Sequence, residues 1–331
     1  MIFYVGNFLS SKSIGYLYVK YFSEFGHVTY VSHIPNKILR LFHMVFKLLY
    51  NLKKIDVVIV ETYSTSAFIY AILISQLSRL FSISYIPVIH GGNIIKILND
   101  RPFFSKLIFR NSKINVSPSK FITNIMRDKK FRIKYVPNFI ELEKYNFIER
   151  NNCKARLLWV RGFHPIYNPE MAIIVFNKIK KIIPDSKLCM VGAILDKNSF
   201  DSCKNKLKKL NLLDFVKFTG ELKREEWVDL SRDYDIFLNT TSIESFGMSL
   251  IEANASGIPI VSTNVGELKL LHKHNIDAIL VENNDHQAMT RGVLKLINDR
   301  AFAFKLSRNG RLKAVNYSWE NIKQKWEEII F

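Results

Sequence analysis

The strongest constraint on the fold is a regular alternation between short runs of β-branched and apolar residues and longer amphipathic stretches. Eleven such runs occur along the chain: MIFYVGNF, HVTYVSH, DVVIVET, ISYIPVIH, KINVS, RLLWVRGF, KLCMVGA, FVKFTG, YDIFLNTT, IPIVST and AILVEN. Helical stretches lie between them, for example Ser64–Leu80, Pro169–Ile183 and Glu225–Ser231. Strands that alternate with helices favour parallel βαβ units. We therefore predict an α/β protein.

The chain is predicted to form two domains of this kind. The stretch Glu141–Lys154 is polar and charged, and RLLWVRGF then starts a second βα series. We place the first domain at residues 1–150 and start the second at residue 151. Two doubly wound sheets predict a cleft between the domains, where ligands bind outside the carboxyl ends of the strands.

Composition excludes several classes of protein. Hydrophobic residues make up 48% and charged residues 23%, and only 22 of the 331 positions are glycine or proline, which excludes a disordered, collagen-like or disulfide-rich chain. The longest apolar run, Ala67–Ile74, has eight residues, whereas a membrane span needs roughly 20. The start of the chain shows no signal-peptide pattern. Cys153, Cys189 and Cys203 fit no metal spacing, so we expect reduced thiols and a cytosolic protein.

The charge is strongly positive and unevenly distributed. Lys and Arg number 48 against 29 Asp and Glu, a net charge of +19. Residues 1–150 carry +13 and residues 151–331 carry +6. This asymmetry indicates that one half faces a polyanion, such as nucleic acid, anionic lipid or a phosphorylated substrate. A generally basic, solvated surface is the alternative interpretation.

The most informative segment is residues 240–262, TTSIESFGMSLIEANASGIPIVS. A buried strand ends in a Ser/Thr-rich loop that carries Glu244, and a helix then begins near residues 246–248, carries Glu252 and stops at Gly257. The carboxylates could accept hydrogen bonds from hydroxyl groups at the two ends of an elongated ligand. Free N–H groups at the helix start would meet a diphosphate. Alternatively, Glu244 caps the helix and Glu252 is an exposed charge.

This segment resembles the EX7E motif of the retaining glycosyltransferases of family four, which have the GT-B fold. Further similarity lies in INVSPSKFI, VPNFIELEKY, FTGELKREEWVDLSRDYDIFLNTT, VGEL and YSWENIKQKWEEII. The resemblance implies two Rossmann-like doubly wound domains facing across a cleft. It also implies that the second domain, which binds the nucleotide-sugar, ends at residue 312. A C-terminal helix, 313–331, would then pack back toward the first, acceptor-side domain.

The resemblance also implies roles for individual residues. Glu252 would bind the nucleotide ribose and Glu244 the sugar hydroxyl groups. His90, which follows a strand in VIHGGN, would face the donor sugar, and the adjacent Gly91 and Gly92 would permit close approach of a ligand. The remaining donor-binding positions near the sugar and diphosphate are Phe246, Gly247, Met248 and Ser249.

Arg161, in LLWVRGF, matches the diphosphate-binding arginine of the family. Its guanidinium would neutralise charge on the leaving group. A lysine that usually follows in the family is missing. Either His164, Asn168 or a basic residue of the first domain replaces it, or the affinity for the diphosphate is weaker. We expect no metal and no cofactor, because the spacing Asp233-Tyr-Asp235 lies at a helix-to-strand junction and the arginine and helix start supply the positive charge.

Two basic stretches suggest where an acceptor is received. Residues 35–54 form an apolar stretch that includes Lys37, Arg40 and Lys47, as in an interfacial amphipathic helix. A second basic cluster, which includes Lys129 and Lys130, consists of Lys113, Lys120, Arg127, Lys129, Lys130, Arg132 and Lys134. We expect these residues to contact an anionic membrane surface or the acceptor. The alternative for the first stretch is a core helix with snorkelling lysines.

The resemblance implies a retaining hexosyltransferase that moves a sugar from a UDP- or GDP-linked donor. Together with the basic stretches, it predicts a lipid-linked or glycan acceptor in bacterial surface polysaccharide or lipopolysaccharide biosynthesis. The protein would be cytoplasmic and peripheral on the inner face of the cell membrane. A GT-B sugar-nucleotide epimerase, a degenerate inactive transferase and a basic nucleic-acid-binding protein remain alternatives. We expect no nucleic acid partner, because aromatic residues are not interleaved with the basic clusters.

Overall fold

The computed structural model describes residues 1–9, 13–65, 67–91 and 93–331. The chain forms two compact units, the first comprising Met1–Pro137 and Ile322–Phe331 and the second Asn138–Asn321. This division falls before the expected boundary at residue 150, because the intervening segment packs with the second unit. There, the guanidinium of Arg150 donates hydrogen bonds to the carbonyl oxygens of Ile148 at 2.6 Å and Ser256 at 2.7 Å.

The first unit contains one six-stranded sheet. Its strands are β1 (Ile2–Val5), β2 (Val28–Val31), β3 (Val57–Thr62), β4 (Ser84–Ile89), β5 (Asn115–Ser117) and β6 (Ile133–Tyr135). Its helices are α1 (Ile14–Phe22), α2 (Lys37–Tyr50), α3 (Ala67–Leu80), α4 (Ile94–Asp100), α5 (Pro102–Phe109) and α6 (Lys120–Asp128). All neighbouring strands are parallel, in the order β2-β1-β3-β4-β5-β6.

The second unit contains another six-stranded parallel sheet. Its strands are β7 (Arg156–Val160), β8 (Lys187–Val191), β9 (Val216–Gly220), β10 (Ile236–Asn239), β11 (Ile260–Thr263) and β12 (Ile279–Val281). Its helices are α7 (Pro169–Ile182), α8 (Lys197–Lys209), α9 (Arg224–Leu230), α10 (Met248–Ala255), α11 (Leu268–Leu271), α12 (His286–Asn298) and α13 (Arg300–Val315). The order is β12-β11-β10-β7-β8-β9. The last helix, α14 (Trp319–Ile330), begins in the second unit and ends in the first.

Each sheet has one point where the strand order reverses direction. In the first sheet, β1 lies between β2 and β3, and in the second sheet β7 lies between β8 and β10. The loops that leave the two strands at such a point run to opposite faces of the sheet and leave a crevice outside the carboxyl ends, where ligands bind in open α/β sheets. The order of the strands therefore predicts one candidate site at each reversal.

The α/β prediction is confirmed. Every residue of β3 and β10 is buried, and most of these residues are apolar, because parallel sheets are covered by helices on both sides. Each of the eleven predicted runs contains a strand of the structure. The strand β6 was not predicted, since its three residues carry a lysine at the centre and give no apolar run.

Candidate active site

Two loops meet at the carboxyl edge of the second sheet, where β7 and β10 lie side by side. Arg161 follows β7 directly, and the Ser/Thr-rich loop that carries Glu244 follows β10. The indole Nε1 of Trp159 donates a hydrogen bond to Thr240 Oγ1 at 2.9 Å and ties the ends of the two strands together. The reversal of strand order in this sheet falls at the same pair of strands. The predicted arginine and the first predicted glutamate thus share the expected ligand crevice.

Arg161 and Glu244 bind each other directly. Their ion pair joins Nη2 of the guanidinium to Oε2 of the carboxylate. The other oxygen, Oε1, accepts hydrogen bonds from the backbone N–H groups of Ser245 at 3.1 Å and Phe246 at 3.4 Å. The guanidinium carbon lies 5.5 Å from the centroid of the Tyr167 ring. The buried Nε of Arg161 has no hydrogen-bond partner within the described part of the chain, so it retains one donor for an anionic ligand.

Two glycines fix the loop around Glu244. Gly266 has φ +53°, and a Cβ atom added there would lie 2.2 Å from the carbonyl oxygen of Glu244. The same carbonyl accepts a hydrogen bond from the N–H of Glu267 at 3.0 Å. Gly247 has φ +96°, and an added Cβ would lie 3.1 Å from Leu268 Cδ2. Side chains at either position would be strained, so the VGEL segment holds the loop in place.

The helix α10 begins beside this loop with an uncapped first turn. Its N-cap residue, Gly247, has no side chain that could accept hydrogen bonds from the first N–H groups. The N–H groups of Met248 and Ser249 have no acceptor within the helix, and the helix dipole makes this end electropositive. Ser249 Oγ is also buried and unpartnered among the residues described. The ring of Phe246 packs against the ring of Tyr317, with the two centroids 5.8 Å apart. Its side chain is therefore used in packing, and only its backbone could contact a ligand.

Glu252 lies on α10 and is 5% exposed. Its Oε1 accepts hydrogen bonds from the hydroxyl of Tyr145 at 3.1 Å and from Nε of Arg224 at 2.8 Å. Burial raises the pKa of Glu252, while the charge of Arg224 and the hydrogen bond from Tyr145 act in the opposite direction. Burial and the carboxylate likewise raise the pKa of the Tyr145 phenol. Both contacts are made to one oxygen of the carboxylate, which leaves Oε2 as an acceptor for a ligand hydroxyl.

Arg224 and Tyr145 were missed by the sequence analysis. Arg224 is the first residue of α9, in a run of charged residues that suggests an exposed helix start. Tyr145 lies in the polar stretch that was interpreted as the link between domains, but it is 2% exposed and packs in the second unit. The available signal was weak, namely an aromatic residue inside an otherwise charged segment.

The candidate replacements for the missing lysine lie in the turn after β7. The Nδ1 of His164 accepts a hydrogen bond from the N–H of Ile166 at 3.2 Å. The side-chain oxygen of Asn168 accepts from the N–H of Met171 at 3.3 Å and caps α7, and its Nδ2 donates to Asn284 Oδ1 at 2.8 Å. Both side chains are therefore used in local structure, and their role toward a diphosphate stays a prediction.

His90 lies in the first unit, directly after β4. Its ring stacks on the ring of Tyr63, with centroids 5.1 Å apart and planes at 19°. The side chain is buried, Nε2 has no partner among the described residues, and burial lowers the pKa of His90 to about 4. The imidazole is therefore neutral at physiological pH. The following Gly91 has φ +85°, and Gly92 lies outside the described residues.

The predicted basic face of α2 is wrong at Arg40. This side chain is 8% exposed, and it donates hydrogen bonds to the carbonyl oxygens of Ile34 at 2.6 Å and Pro35 at 2.7 Å. Arg40 is buried because it satisfies carbonyl groups at the turn that precedes the helix, so it does not present its charge to a membrane. Lys37 and Lys47 are exposed, as predicted.

Large apolar side chains also occupy the exposed side of α2. They are Ile38, Leu39, Phe42, Phe46, Leu49 and Tyr50, each between 41% and 76% exposed. The buried side carries Arg40, Met44 and Leu48. We call the exposed set the α2 apolar face. Soluble proteins rarely leave such a contiguous set in water without a partner.

The second basic cluster is divided between internal contacts and solvent. Lys113 Nζ donates to the carbonyl oxygen of Ile330 at 2.9 Å, and Lys134 pairs with Glu328 at 3.5 Å. Lys129 and Lys130, at the end of α6, are exposed. No helix within residues 1–9, 13–65, 67–91 and 93–331 is long and apolar enough to cross a membrane.

Metal-binding groups are not assembled in the part of the chain that the structure describes, where no three His, Cys, Asp or Glu side chains come together. In the Asp233-Tyr-Asp235 segment, which has the spacing of a metal motif, the carboxylate of Asp235 accepts hydrogen bonds from the guanidinium of Arg156 with both oxygens, at 2.7 and 3.0 Å. This pair holds the start of β7 to the start of β10 and gives Asp235 a structural role.

A protein-family model described as glycosyl transferases group 1 matches residues 143–313. Among curated proteins, the chain is 24% identical over 204 residues to UDP-Gal:alpha-D-GlcNAc-diphosphoundecaprenol alpha-1,3-galactosyltransferase of Escherichia coli. That alignment covers 56% of this chain and 50% of the relative.

Two solved structures match over nearly the whole chain. Sucrose-phosphate synthase from Thermosynechococcus elongatus aligns with a TM-score of 0.82 and 17% identity, covering 99% of this chain and 97% of that one. Anabaena HepE in complex with UDP and glucose aligns with a TM-score of 0.77 and 16% identity, covering 99% and 98%. Together with the two parallel sheets, this similarity confirms the predicted GT-B fold of two Rossmann-like domains.

Proposed function

This chain belongs to the group 1 glycosyl transferases, and from that premise we propose that it transfers a hexose from a UDP- or GDP-linked donor with retention of the anomeric configuration. The observation that carries the proposal is the placement of Arg161, Glu244 and the uncapped start of α10 at the point where the second sheet reverses its strand order. A cation, a carboxylate and free N–H groups are the groups needed to hold a sugar diphosphate.

The donor would bind along α10. The diphosphate accepts hydrogen bonds from the N–H groups of Met248 and Ser249 and from Arg161, whose Nε is unpartnered among the described residues. The ribose hydroxyls donate to Oε2 of Glu252, because its Oε1 is already bound to Tyr145 and Arg224. A diphosphate at Arg161 would compete with Glu244 for the guanidinium and so free the carboxylate to accept from sugar hydroxyls.

The chemistry would be mainly electrostatic. The bond between the anomeric carbon and the diphosphate oxygen breaks, and the new bond to the acceptor oxygen forms on the same face of the sugar. The leaving diphosphate takes the proton of the acceptor hydroxyl. Arg161 and the start of α10 stabilise the negative charge that develops on the leaving group. His90, neutral and with an unpartnered buried Nε2 in the described structure, would hydrogen-bond a hydroxyl of the donor sugar.

The acceptor would be a lipid-linked glycan on the cytoplasmic leaflet of the cell membrane, in the assembly of surface polysaccharide or lipopolysaccharide. The α2 apolar face combines exposed Phe42 and Phe46 with exposed Lys37 and Lys47. This combination matches an interfacial helix that inserts apolar side chains between anionic headgroups, where each basic residue near the surface contributes about 1 kcal/mol. The Escherichia coli relative has a diphosphoundecaprenol-linked acceptor in its name.

The proposal is tested by Glu244→Ala. We expect UDP, GDP and ADP titrations by calorimetry to identify one preferred nucleotide, and the matching nucleotide-sugar to be transferred by the wild type. The variant should lose transfer by at least about a hundredfold, because removing one group that acts on the transition state costs on the order of 10²–10³ in rate. The matched control is Glu225→Ala, an exposed glutamate on α9.

Three results would contradict the proposal: full transfer by Glu244→Ala, absence of binding to every nucleotide, or an acceptor-free change of sugar configuration that indicates an epimerase. Nuclear magnetic resonance of the product determines whether the anomeric configuration is retained.

A further inference from the structure

A second group of polar side chains lies at the reversal point of the first sheet, outside the donor-binding residues of the second unit. Tyr4 is in β1, Glu61 is near the end of β3, Tyr63 follows β3 and His90 follows β4. The neighbouring strands β1, β3 and β4 bring these four residues to one edge. The topological rule that places Arg161 and Glu244 at a ligand crevice in the second sheet applies equally here.

Glu61 is the centre of this group. It is 4% exposed and accepts hydrogen bonds from the hydroxyl of Tyr4 at 2.7 Å, the hydroxyl of Tyr63 at 3.0 Å and the backbone N–H of Asn7 at 2.8 Å. Burial raises the pKa of this carboxyl group, and the three hydrogen bonds act against that rise. Burying a carboxyl group costs free energy, whereas burying an apolar side chain at the same position would not. We therefore look for a function of Glu61 other than packing.

Tyr63 connects this carboxyl group to His90. Its hydroxyl is bound by Glu61 and its ring stacks on the imidazole of His90, with centroids 5.1 Å apart. His90 is 7% exposed, and its Nε2 has no hydrogen-bond partner among the described residues. The plane of the His90 imidazole is thus held by Tyr63, which is itself held by its hydrogen bond to Glu61. The Nε2 atom of His90 remains without a partner among the described residues.

We propose that Glu61 and Tyr63 are positioning residues that fix the imidazole of His90 so that its Nε2 meets a hydroxyl group of the donor sugar. The inference rests on the proposed function, in which His90 contacts the sugar. Glu61 does not touch the substrate, and it acts only through the orientation of Tyr63. Preorganised donors and acceptors accelerate reactions because no reorganisation is needed at the moment of reaction.

The test is a double-mutant cycle between Tyr63→Phe and His90→Ala. Phenylalanine keeps the ring but loses the hydrogen bond to Glu61. We expect Tyr63→Phe to lower kcat/KM for the nucleotide-sugar roughly fivefold, the effect of one net hydrogen bond. In the His90→Ala background the same substitution should have no further effect, because the group that Tyr63 positions is gone.

Tyr85→Phe is the matched control. Tyr85 is also a buried tyrosine of the first sheet, in β4, and its hydroxyl donates to the carbonyl oxygen of Ile108 at 2.7 Å. We expect this variant to lose stability to a similar extent as Tyr63→Phe but to keep its kcat/KM. An equal loss of kcat/KM from Tyr63→Phe with and without His90 would overturn the proposal, since a merely structural effect is additive.

A second measurement does not require turnover. The ring protons of His90, assigned by comparison with His90→Ala, should be shifted upfield by the stacked ring of Tyr63. We expect Tyr63→Phe and Glu61→Gln to move these resonances, because the ring is no longer anchored. Unchanged resonances in Tyr63→Phe would overturn the proposal. Wild-type activity in His90→Ala would overturn it as well, but would leave the proposed function standing, which Glu244→Ala tests separately.

Discussion

At the scale of single residues, the proposed binding of a nucleotide ribose by Glu252 would depend on the ionisation of this carboxyl group. Burial raises the pKa of this carboxyl group, and the charge of Arg224 is the strongest influence in the opposite direction. The carboxylate accepts two hydroxyl hydrogen bonds more effectively than the neutral acid. Under the proposed function, Arg224 would therefore favour the ionised, binding-competent form of Glu252.

Arg224→Met tests this dependence. In the wild type, affinity for UDP should fall as the pH drops through the raised pKa of Glu252, because protonation removes an acceptor. Loss of the cation raises that pKa further, so the fall moves to higher pH. At a pH below the pKa of Glu252 in both proteins, each unit by which the pKa rises should lower the affinity measured by calorimetry about tenfold, and the two proteins should converge toward one affinity at pH 9.

Arg232→Met is the control for the loss of a positive charge. Arg232 pairs with Asp229 at 3.1 Å on the surface, and its side chain is 48% exposed. Its affinity for UDP should equal that of the wild type at every pH. A loss of affinity in Arg224→Met that does not change between pH 5 and pH 9 would mean that Arg224 acts on binding without acting on Glu252.

The sequence allowed some of these residues to be predicted and not others. Glu244 and Glu252 lie in one continuous motif and Arg161 follows a recognisable strand, so the resemblance to the family could be carried over to these positions, and their roles stay predictions. Arg224 and Tyr145 bind Glu252 from positions 28 and 107 residues away in the chain. Such partners are brought together by the folded sheet, and no spacing in the sequence indicates them.

At the scale of elements, α2 shows why periodicity alone could not assign a helix face. Both sides of this helix carry apolar residues, with Met44 and Leu48 inside and Phe42 and Phe46 outside. The one arginine that looked exposed is inside, since it binds two carbonyl groups of the preceding turn. The pattern predicted the helix, but the inward face depended on these tertiary hydrogen bonds.

The corrected orientation of α2 gives a prediction about vesicle binding. The double variant Phe42→Ser/Phe46→Ser should bind anionic vesicles roughly 10²–10⁴-fold more weakly, because each of the two aromatic rings contributes about 1.5–3 kcal/mol when it leaves water. Lys37→Ala/Lys47→Ala should weaken binding at low salt and have little effect at high salt. Sedimentation with vesicles that contain anionic lipid measures both.

Arg40→Ala serves as the internal control for α2. This variant should lose stability, because the carbonyl oxygens of Ile34 and Pro35 lose their donor. Its affinity for vesicles should not change. Leu312→Ser controls for exposed apolar residues in general, since Leu312 is 66% exposed on α13. Equal effects of Leu312→Ser and the phenylalanine variant would contradict docking through the α2 apolar face.

At the scale of the whole molecule, both units carry their candidate functional side chains where the strand order of a parallel sheet reverses, although the order of the strands differs between the two sheets. Each has a parallel sheet with one reversal point, and each reversal point carries a buried glutamate, Glu61 in the first unit and Glu244 in the second. The alternation of strands and helices predicted this architecture, because every βα repeat except the one that ends in β6 is visible locally. The roles of Glu61 and Tyr63 were not predicted, since neither residue belongs to a motif.

The final helix, α14, completes the first unit although it follows the second in sequence. Trp326 is fully buried, and its ring lies 4.9 Å from that of Phe22 and 5.5 Å from that of Tyr18. Lys113 holds the last turn through the carbonyl oxygen of Ile330. The core of the first unit therefore includes a segment from the opposite end of the chain, and its stability should depend on that segment.

Trp326→Ala measures this dependence. Removing a buried tryptophan should lower the free energy of unfolding of the first unit by about 3–5 kcal/mol. The groups proposed to bind UDP, including Arg161 and Glu252, belong to the second unit, so calorimetry at low temperature should give an unchanged affinity for UDP. Phe331→Ala, at a residue 76% exposed at the end of the same segment, should leave stability within about 0.5 kcal/mol of wild type. A loss of UDP affinity in folded Trp326→Ala would contradict the assignment of nucleotide binding to the second unit alone.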